Sequence, residues 1–140
     1  MEDKIFLSWN DIEALVDNLA EQINKMDKKP FYIYGVPRGG AIPAVWLSHK
    51  TGIDYYQLNS AQISKTADLS HILIVDDICD SGETIKKLKE NFPKCQTATL
   101  YHKETAIDKP DIYGEISTYD WIYFPWENPQ SSEIRDNTYE

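Results

Sequence analysis

The stretch "ILIVDDICDSGETIKKL", from Ile72 to Leu88, constrains the fold of this chain more than any other. Its first four residues are apolar and mostly β-branched, which predicts a buried strand. Two adjacent aspartates follow, then a third acid at Asp80, a loop of small residues and a lysine-rich helical pattern. Carboxylates at the end of a buried strand need hydroxyl groups, a hydrated metal or cations as partners, because burying them alone is costly. The stretch therefore predicts a strand that leads into a ligand site.

Predicted helices and strands alternate along the rest of the chain. Apolar residues recur at helical spacing over 8–26, with Ser8 as the N-cap, and further helices are predicted at 41–51 and 83–91. Strands are predicted at 31–34, 54–58, 71–77 and 96–103, and extended pieces at 110–116 and 120–126. The alternation predicts an α/β fold with a central, mostly parallel sheet flanked by helices. In such folds ligands bind beyond the carboxyl ends of the strands.

The length and net charge of the chain limit the number of domains and the kinds of partner that we expect. The 140 residues suit one domain, assigned to 1–127, followed by a polar tail at 128–140. Residues 59–70 are polar without periodicity and are predicted to form a loop. The formal net charge of -9 repels nucleic acid, so a free duplex or RNA is not the expected partner.

The sequence also bears on where the protein works. No apolar run approaches the ~18 residues of a membrane span, and the N-terminus lacks the basic region and apolar run of a signal peptide. Cys79 and Cys95 show no metal-type spacing and are interpreted as reduced thiols, with one disulfide between them as the alternative. We therefore expect a cytoplasmic protein without a membrane segment.

The loop 80–84 joins the predicted strand to the start of a helix. Helix N-termini offer free N–H groups and a partial positive charge, and small residues let a phosphate approach them closely. Ser81 and Thr84 add hydroxyl groups that can donate to the same anion. An ordinary N-cap turn explains this loop equally well when it is taken alone.

Asp76 and Asp77 shift the balance toward phosphate binding. Adjacent acids above a phosphate loop suit a sugar phosphate, with ribose hydroxyls and Mg²⁺ at the carboxylates and the 5′-phosphate in the loop. Mg²⁺ commonly binds through one or two carboxylates together with substrate oxygens. The alternatives are an acidic pocket of the receiver type and a Walker B strand, but the chain contains no G-x-x-x-x-G-K-[ST] loop.

The segment Arg38-Gly39-Gly40 supplies a complementary part after the predicted strand 31–34. Its glycines permit close approach of the backbone, and an arginine can bind an oxyanion through two parallel hydrogen bonds. The alternative is a glycine turn beside a solvated arginine. Together, the two loops favour a ligand with phosphates at both ends.

These residues resemble a known family. "ILIVDDICDSGET" resembles the signature of type I phosphoribosyltransferases, which bind phosphoribosyl pyrophosphate (PRPP), and "YGVPRGGAIPA" is similar to their pyrophosphate loop. Three further segments resemble the small bacterial xanthine-guanine phosphoribosyltransferases and their hypoxanthine-using relatives: "LSWNDIEALVDNLAEQI", "NFPKCQTATLYHK" and "YDWIYFPWE". The resemblance covers residues 4–127 and implies the type I phosphoribosyltransferase fold with a small hood.

The resemblance implies a PRPP site at these loops. Asp76 and Asp77 would hold the ribose hydroxyls and the hydrated Mg²⁺, with Asp77 as the metal contact. Arg38 and Gly39 would hold the pyrophosphate, and the peptide bond Pro37–Arg38 would be cis, as it often is in relatives. The 5′-phosphate would be bound, largely through backbone N–H groups, by Ser81, Gly82, Glu83 and Thr84.

The resemblance also implies a purine site. Asp80 would face N7 of the base, as general base or as a stabilising partner of its proton. Lys103 would contact the 6-oxygen, Trp121 would stack on the base and Ile122 would offer its backbone to the base edge. The alternatives are an exposed Lys103 without a ligand and a Trp121 that only fills the core.

Several residues depart from the family pattern or stand outside it. Glu83 places an anion in the phosphate loop, so its side chain is expected to point outward, where the helix N-terminus favours it. The segment 59–70 lacks the Ser-Tyr pair of the catalytic hood, and Tyr123 occupies a position that carries an acid in some xanthine users. His102 and Trp126 are predicted to be packing residues.

The expected activity is transfer of the 5-phosphoribosyl group from PRPP to guanine, hypoxanthine or xanthine in purine salvage, giving the nucleoside monophosphate and pyrophosphate. Lys103 favours a 6-oxopurine over adenine, because an ammonium donates to a carbonyl and not to an amino group. One alternative is a regulator with the same fold that senses PRPP without turnover. Another is a doubly wound signalling domain, which leaves Arg38 and Trp121 unexplained. The preferred base stays open, as does the choice between homodimer and homotetramer.

Overall fold

A computed structural model describes residues 3–56 and 71–127 of the chain. Over these ranges the chain forms a five-stranded sheet, a separate pair of short strands and three helices. The strands are β1 (Lys4–Phe6), β2 (Tyr32–Gly35), β3 (Asp54–Tyr55), β4 (Ile72–Cys79), β5 (Gln96–Lys103), β6 (Ile112–Ser117) and β7 (Trp121–Tyr123). The helices are α1 (Trp9–Asn24), α2 (Ala41–Thr51) and α3 (Glu83–Asn91). The predicted loop 59–70 and the polar tail 128–140 lie outside the described residues.

The main sheet has the strand order β3-β2-β4-β5-β6, and every neighbouring pair is parallel. The predicted α/β fold with a parallel sheet is thereby confirmed. Because all five strands run the same way, the residues that follow β2, β4 and β5 meet at one edge of the sheet. This edge, at the carboxyl ends of the strands, is called the ligand edge below.

The central strand β4 is buried on both faces. Leu73 and Val75 pack in one apolar cluster with residues of α1 and α2, whereas Ile72 and Ile74 pack in a second cluster with Leu88 of α3. The alternation follows from the two-residue period of a strand. Burying each such side chain fully contributes about 1.5–3 kcal/mol. The strand is therefore held firmly up to the point where its acids begin.

The helix boundaries follow local signals. Ser8 caps α1 as predicted: its Oγ accepts from the Asp11 N–H at 3.1 Å, and the Asp11 carboxylate accepts from the Ser8 N–H at 2.8 Å. The prediction placed the end of α1 at residue 26, but the helix ends at Asn24, and Met26 packs on the core from the turn that follows. Gly52 ends α2 in a left-handed conformation with φ of 78°, as predicted.

Several strands differ in extent from the prediction. β4 was predicted to end at residue 77 but continues to Cys79, because its ladder with β5 continues as far as the pair Cys79–His102. β6 and β7 occupy only parts of the extended pieces predicted at 110–116 and 120–126. β1 was not predicted, because three residues carry too little periodicity to be recognised.

β1 and β7 form a small parallel sheet of their own, with Lys4 opposite Trp121 and Phe6 opposite Tyr123. The Phe6 and Tyr123 rings stack with centroids 4.7 Å apart, and the backbone N–H of Leu7 donates to the Tyr123 carbonyl at 2.9 Å. The pair thus joins the start of the described chain to the segment that precedes its end. Within the described part of the chain, no helix has the length and apolarity needed to span a membrane.

Candidate active site

The loop 36–40 reaches β4 where β2 stops. The last β2–β4 pair joins Gly35 to Val75, and the Val36 N–H still donates to the Val75 carbonyl at 2.8 Å. From Asp76 onward β4 pairs only with β5, so the side of β4 that faced β2 is left to the loop. The sequence-predicted pyrophosphate loop and the acidic end of β4 are therefore neighbours across the ligand edge.

Two glycines of this loop are required by its close approach to β4. A Cβ added at Gly39 would overlap the carboxylate of Asp77, and one added at Gly40 would overlap the backbone carbonyl oxygen of Val75. Alanine at either position forces the neighbouring atoms to shift. The backbone of Gly39 thus lies directly against the side chain expected to contact the metal.

The loop itself is closed by short hydrogen bonds. The Gly40 N–H donates to the Val36 carbonyl at 2.8 Å, and the Ala41 N–H donates to the Arg38 carbonyl at 3.2 Å at the start of α2. The peptide bond Pro37–Arg38 is cis, which confirms the expectation from the family resemblance. Arg38 is exposed at the ligand edge.

Asp76 and Asp77 are partly buried, and each accepts a hydrogen bond from the residue that follows it. The Asp77 N–H donates to Asp76 Oδ1 at 2.9 Å, and the Ile78 N–H donates to Asp77 Oδ1 at 2.8 Å. Burial raises the pKa of Asp77 to about 6, against the opposing effect of its hydrogen bonds to Asp76 and to the Ile78 backbone. Such a carboxyl becomes an anion more readily when a cation is placed beside it.

The donor set at this edge fits Mg²⁺ held partly by substrate. Across residues 3–56 and 71–127 there is no group of three or more His, Cys, Asp or Glu side chains able to hold a metal by themselves. Two neighbouring carboxylates of which one faces the pyrophosphate loop are what a Mg²⁺ ion shared with a bound pyrophosphate requires. The predicted metal contact at Asp77 remains a proposal.

The phosphate loop turns through Gly82 into α3. Gly82 is left-handed with φ of 91°, and Ser81 Oγ accepts from the Glu83 N–H at 3.2 Å. Glu83 is exposed on the first turn of α3, as expected for an acid at a helix N-terminus, and Thr84 is partly buried. The acid of this loop therefore faces solvent, and the binding of a phosphate by the loop remains a proposal.

Residues 107–108 support the loop 80–84, although the sequence did not indicate them as part of the site. A Cβ at Gly82 would come within 2.6 Å of the Asp108 nitrogen, and the Ile107 N–H donates to the Ser81 carbonyl at 3.0 Å. The thiol of Cys79 donates to the Asp108 carbonyl at 3.1 Å. This support depends on backbone groups, which leave no signature in side-chain types.

The base side of the site is centred on Lys103, the last residue of β5. Its Nζ lies 3.0 Å from Asp80 Oδ1 and 3.0 Å from the Asp120 carbonyl oxygen. The side chains of Lys103 and Asp80 are 19% and 23% exposed, so solvent screens this pair only in part. The structure thus brings together the two residues predicted to contact N7 and the 6-oxygen of a purine.

Trp121 and Ile122 lie on β7, directly after Asp120, whose carbonyl contacts Lys103. Trp121 is partly buried and meets Tyr123 edge-on at 6.3 Å, while Ile122 is buried and pairs with Ile5 of β1. Trp126 stacks on Phe124 at 5.0 Å and packs against the core, which agrees with its prediction as a packing residue. The purine contacts predicted for Trp121 and Ile122 remain proposals.

His102 is 1% exposed and packs against Tyr113 with ring centroids 5.2 Å apart. Burial lowers its pKa, with a smaller contribution from Lys109. It faces away from Lys103, since neighbouring residues of a strand alternate between faces. The structure agrees with its prediction as a packing residue.

Cys79 and Cys95 are free and buried, as predicted for reduced thiols. Burial, with a smaller contribution from nearby acids, raises the pKa of both thiols to about 11. At pH 8 about one molecule in a thousand would carry a thiolate at either position.

We expect iodoacetamide at pH 8 to leave the folded protein almost unlabelled over a time that labels a small free thiol completely, because the thiolate is the reactive form. Intact-protein mass spectrometry measures the labelling. The control is the same reaction in denaturant, which should add two carbamidomethyl groups. Rapid labelling of the folded protein at either position would contradict the burial described here.

The chain is similar over most of its length to purine phosphoribosyltransferases. No family model matches it. A purine phosphoribosyltransferase of known structure from Pyrococcus horikoshii Ot3 is 32% identical, with 94% of this chain and 99% of that chain covered and a TM-score of 0.75. The structure of a Helicobacter pylori xanthine-guanine-hypoxanthine phosphoribosyltransferase is 27% identical, covering 90% and 93%, with a TM-score of 0.74. The xanthine-guanine phosphoribosyltransferase of Vibrio atlanticus is 29% identical over 94% of both chains.

Proposed function

The chain belongs to the purine phosphoribosyltransferase family, and from this we propose that it transfers the 5-phosphoribosyl group of PRPP to a 6-oxopurine. As a phosphoribosyltransferase it is a pentosyltransferase. The proposed acceptors are guanine, hypoxanthine and xanthine, and the proposed products are the nucleoside monophosphate and pyrophosphate. Relatives named for xanthine, guanine and hypoxanthine support this range of bases.

The pair Lys103–Asp80 carries the proposal. The 6-oxygen and N7 of a 6-oxopurine are neighbours on one edge of the base, so a protein that reads both needs a donor and an acceptor side by side. Lys103 Nζ and Asp80 Oδ1, 3.0 Å apart, form such a pair. An ammonium has three N–H donors, and the two described bonds of Lys103 leave one for the 6-oxygen. Adenine would instead place an amino group against the ammonium.

The PRPP half of the proposal is supported by the two loops on β4. The exposed Arg38 and the backbone of Gly39 would hold the pyrophosphate beside Asp77. Asp76 would hold the ribose hydroxyls. The 5′-phosphate would sit at the N-terminus of α3, bound by Ser81, Gly82, Glu83 and Thr84 through N–H and hydroxyl groups.

In the proposed reaction a nitrogen of the base forms a bond to C1 of PRPP while the bond from C1 to the pyrophosphate oxygen breaks. Holding both reactants in line accounts for much of the expected rate enhancement. Mg²⁺, when bound at Asp77 together with the pyrophosphate, would neutralise charge on the leaving group. Asp80 would accept the proton of N7, or stabilise it, and Arg38 would balance charge on the departing pyrophosphate.

Assembly and location form part of the same proposal. A homodimer or homotetramer is supported by the exposed apolar side chains on and beside α2, where Trp9, Ile42 and Val45 are 50%, 37% and 41% exposed. A cytoplasmic location is supported by the two free thiols, since secreted proteins commonly pair theirs. The proposed partners are PRPP and a purine base, without nucleic acid.

An assay with four bases tests the activity. The protein is incubated with PRPP, Mg²⁺ and guanine, hypoxanthine, xanthine or adenine, and the nucleotide is separated by chromatography. We expect nucleoside monophosphate from at least one 6-oxopurine, and a kcat/KM for adenine at least about a hundredfold lower, because the Lys103 ammonium has no acceptor there.

Controls without PRPP identify contaminating nucleotide. A lack of nucleotide from all four bases would refute the enzymatic proposal. Binding of PRPP without turnover would then support the regulatory alternative, which the enzyme names of the relatives do not favour. If adenine were the best acceptor, the proposed contact between Lys103 and the 6-oxygen of the base would be refuted.

A further inference from the structure

We propose that Asp120 is a positioning residue that sets Lys103 for the purine by fastening the base side of the site to the N-terminal strand β1. This role rests on the proposed function, because it concerns the recognition of the base. Asp120 lies between β6 and β7, next to Trp121. Neither the sequence pattern nor the family resemblance singled it out.

The first observation concerns the backbone of Asp120. Its carbonyl oxygen accepts from Lys103 Nζ at 3.0 Å, and the same ammonium lies 3.0 Å from Asp80 Oδ1. A lysine side chain has four rotatable bonds, and holding its ammonium in one place has a large entropic cost. The Asp120 carbonyl and the Asp80 carboxylate together fix the ammonium, so the position of the carbonyl decides where Lys103 can meet a base.

The second observation concerns what holds that carbonyl. The Asp120 carboxylate accepts from the Asp3 N–H at 2.8 Å, and the N–H groups of Asp120 and Trp121 both donate to the Asp3 carbonyl, at 2.9 and 3.1 Å. Three hydrogen bonds therefore join Asp3 to the residues beside Lys103. The β1–β7 ladder continues this connection from Lys4 onward.

The third observation concerns the other side of the same segment. Ser117 pairs with Lys103 in the β5–β6 ladder, and the buried Ser117 Oγ accepts from the Tyr119 N–H at 3.0 Å. The turn that leads to Asp120 is thus anchored at β6, and the far end is anchored at β1. Of these anchors, the Asp120 carboxylate is the one that a substitution can remove without disturbing a strand.

The expected effect on protein stability distinguishes this positioning role from a purely structural role. The bond between Asp120 and Asp3 is exposed, so its net contribution to global stability is small. Its effect on Lys103 is local and direct, because the same residue supplies both the carboxylate and the carbonyl. Removing the carboxylate should loosen Lys103 while the fold persists.

The test compares Asp120→Ala with Asp120→Asn by titration calorimetry, using GMP to fill the base and phosphate parts and ribose 5-phosphate to fill the phosphate part alone. We expect Asp120→Ala to weaken GMP binding about tenfold and to leave ribose 5-phosphate binding within about twofold. Asp120→Asn should recover most of the GMP affinity, since an amide oxygen can still accept from the Asp3 N–H. In steady-state kinetics, the same loss should appear in KM for the base and not in KM for PRPP.

Asp111→Ala is the matched control. The Asp111 carboxylate also accepts from a backbone N–H at 2.8 Å, that of Thr97, together with the Thr97 hydroxyl at 3.1 Å, but at the opposite edge of the sheet. This variant should lower the melting temperature at least as much as Asp120→Ala does, because its hydrogen bonds are less exposed, and should bind GMP as the wild type does.

Three results would overturn the assignment. GMP binding unchanged in Asp120→Ala would show that the carboxylate does not set Lys103. Equal weakening of GMP and ribose 5-phosphate would show a general structural role. Absence of binding of GMP, IMP and XMP alike by the wild-type protein would remove the proposed function together with this one, and it is distinguished from the first two results because it is seen without any substitution.

Discussion

Asp80→Ala should lower kcat for the preferred base by about 10²–10⁴-fold while PRPP binding stays close to that of the wild type. Asp80 is the partly buried acid that pairs with Lys103 at 3.0 Å, on the base side of the site. Its removal takes away the acceptor for the N7 proton. The groups proposed to hold PRPP lie on the two loops and on the Asp76–Asp77 pair, which the substitution leaves in place.

The measurements are steady-state kinetics at saturating PRPP and titration of PRPP with Mg²⁺ in the absence of base. Asp80→Asn is the matched variant, because it keeps the shape of the side chain and loses the charge. A similar loss in both variants indicates that the carboxylate itself is needed. Equal losses of PRPP binding and turnover would instead indicate that Asp80 holds the loop in shape.

Gly39→Ala should reduce kcat/KM for PRPP by about a hundredfold. The added methyl group would overlap the Asp77 carboxylate, which is partly buried and is held by the Ile78 N–H at 2.8 Å. Either Asp77 or the pyrophosphate loop must move, and both are proposed to position the same ligand. Displacements of about 1 Å at a reacting centre are sufficient for an effect of this size.

Gly52→Ala is the control for this substitution. Gly52 has φ of 78° with nothing within 4 Å of an added Cβ, so alanine there is strained but meets no neighbour. We expect it to lower the free energy of unfolding by about 1 kcal/mol and to leave kcat/KM unchanged. Denaturant unfolding and kinetics on both variants separate the two effects. Normal PRPP kinetics in Gly39→Ala would contradict the close contact between the loop and Asp77.

The central part of the fold was predictable because its signals are local. The apolar run Ile72–Val75 predicts a strand that is buried on both faces. The bounds of α3 and β5 were predicted to the residue. The glycine loop and the acidic loop could be placed at one edge because parallel strands bring their carboxyl ends together. These are consequences of period and direction, which a single sequence carries.

What could not be predicted depends on contacts between distant parts of the chain. Nothing in the sequence indicates that the carboxylate of Asp120 accepts from the backbone of Asp3, 117 residues away. The support of the phosphate loop by Asp108 likewise involves backbone atoms. β4 extends past the predicted residue 77 as far as its ladder with β5 continues, and the register of that ladder cannot be deduced from the residues of either strand alone.

The pairing of β1 with β7 has a consequence for folding during synthesis on the ribosome. Residues 4–6 leave the exit tunnel more than a hundred residues before their partners 121–123. β2, β4 and the two loops proposed to bind phosphate have all been made once α3 has emerged, so this half can begin to assemble first, although its support by residues 107–108 is added later. The base side must wait for β7, since pairings this distant in sequence form slowly. A chain cut short before β7 would carry both loops proposed to bind phosphate without the strand proposed to close the base side, so selection of a purine would become possible only after β7 has been made.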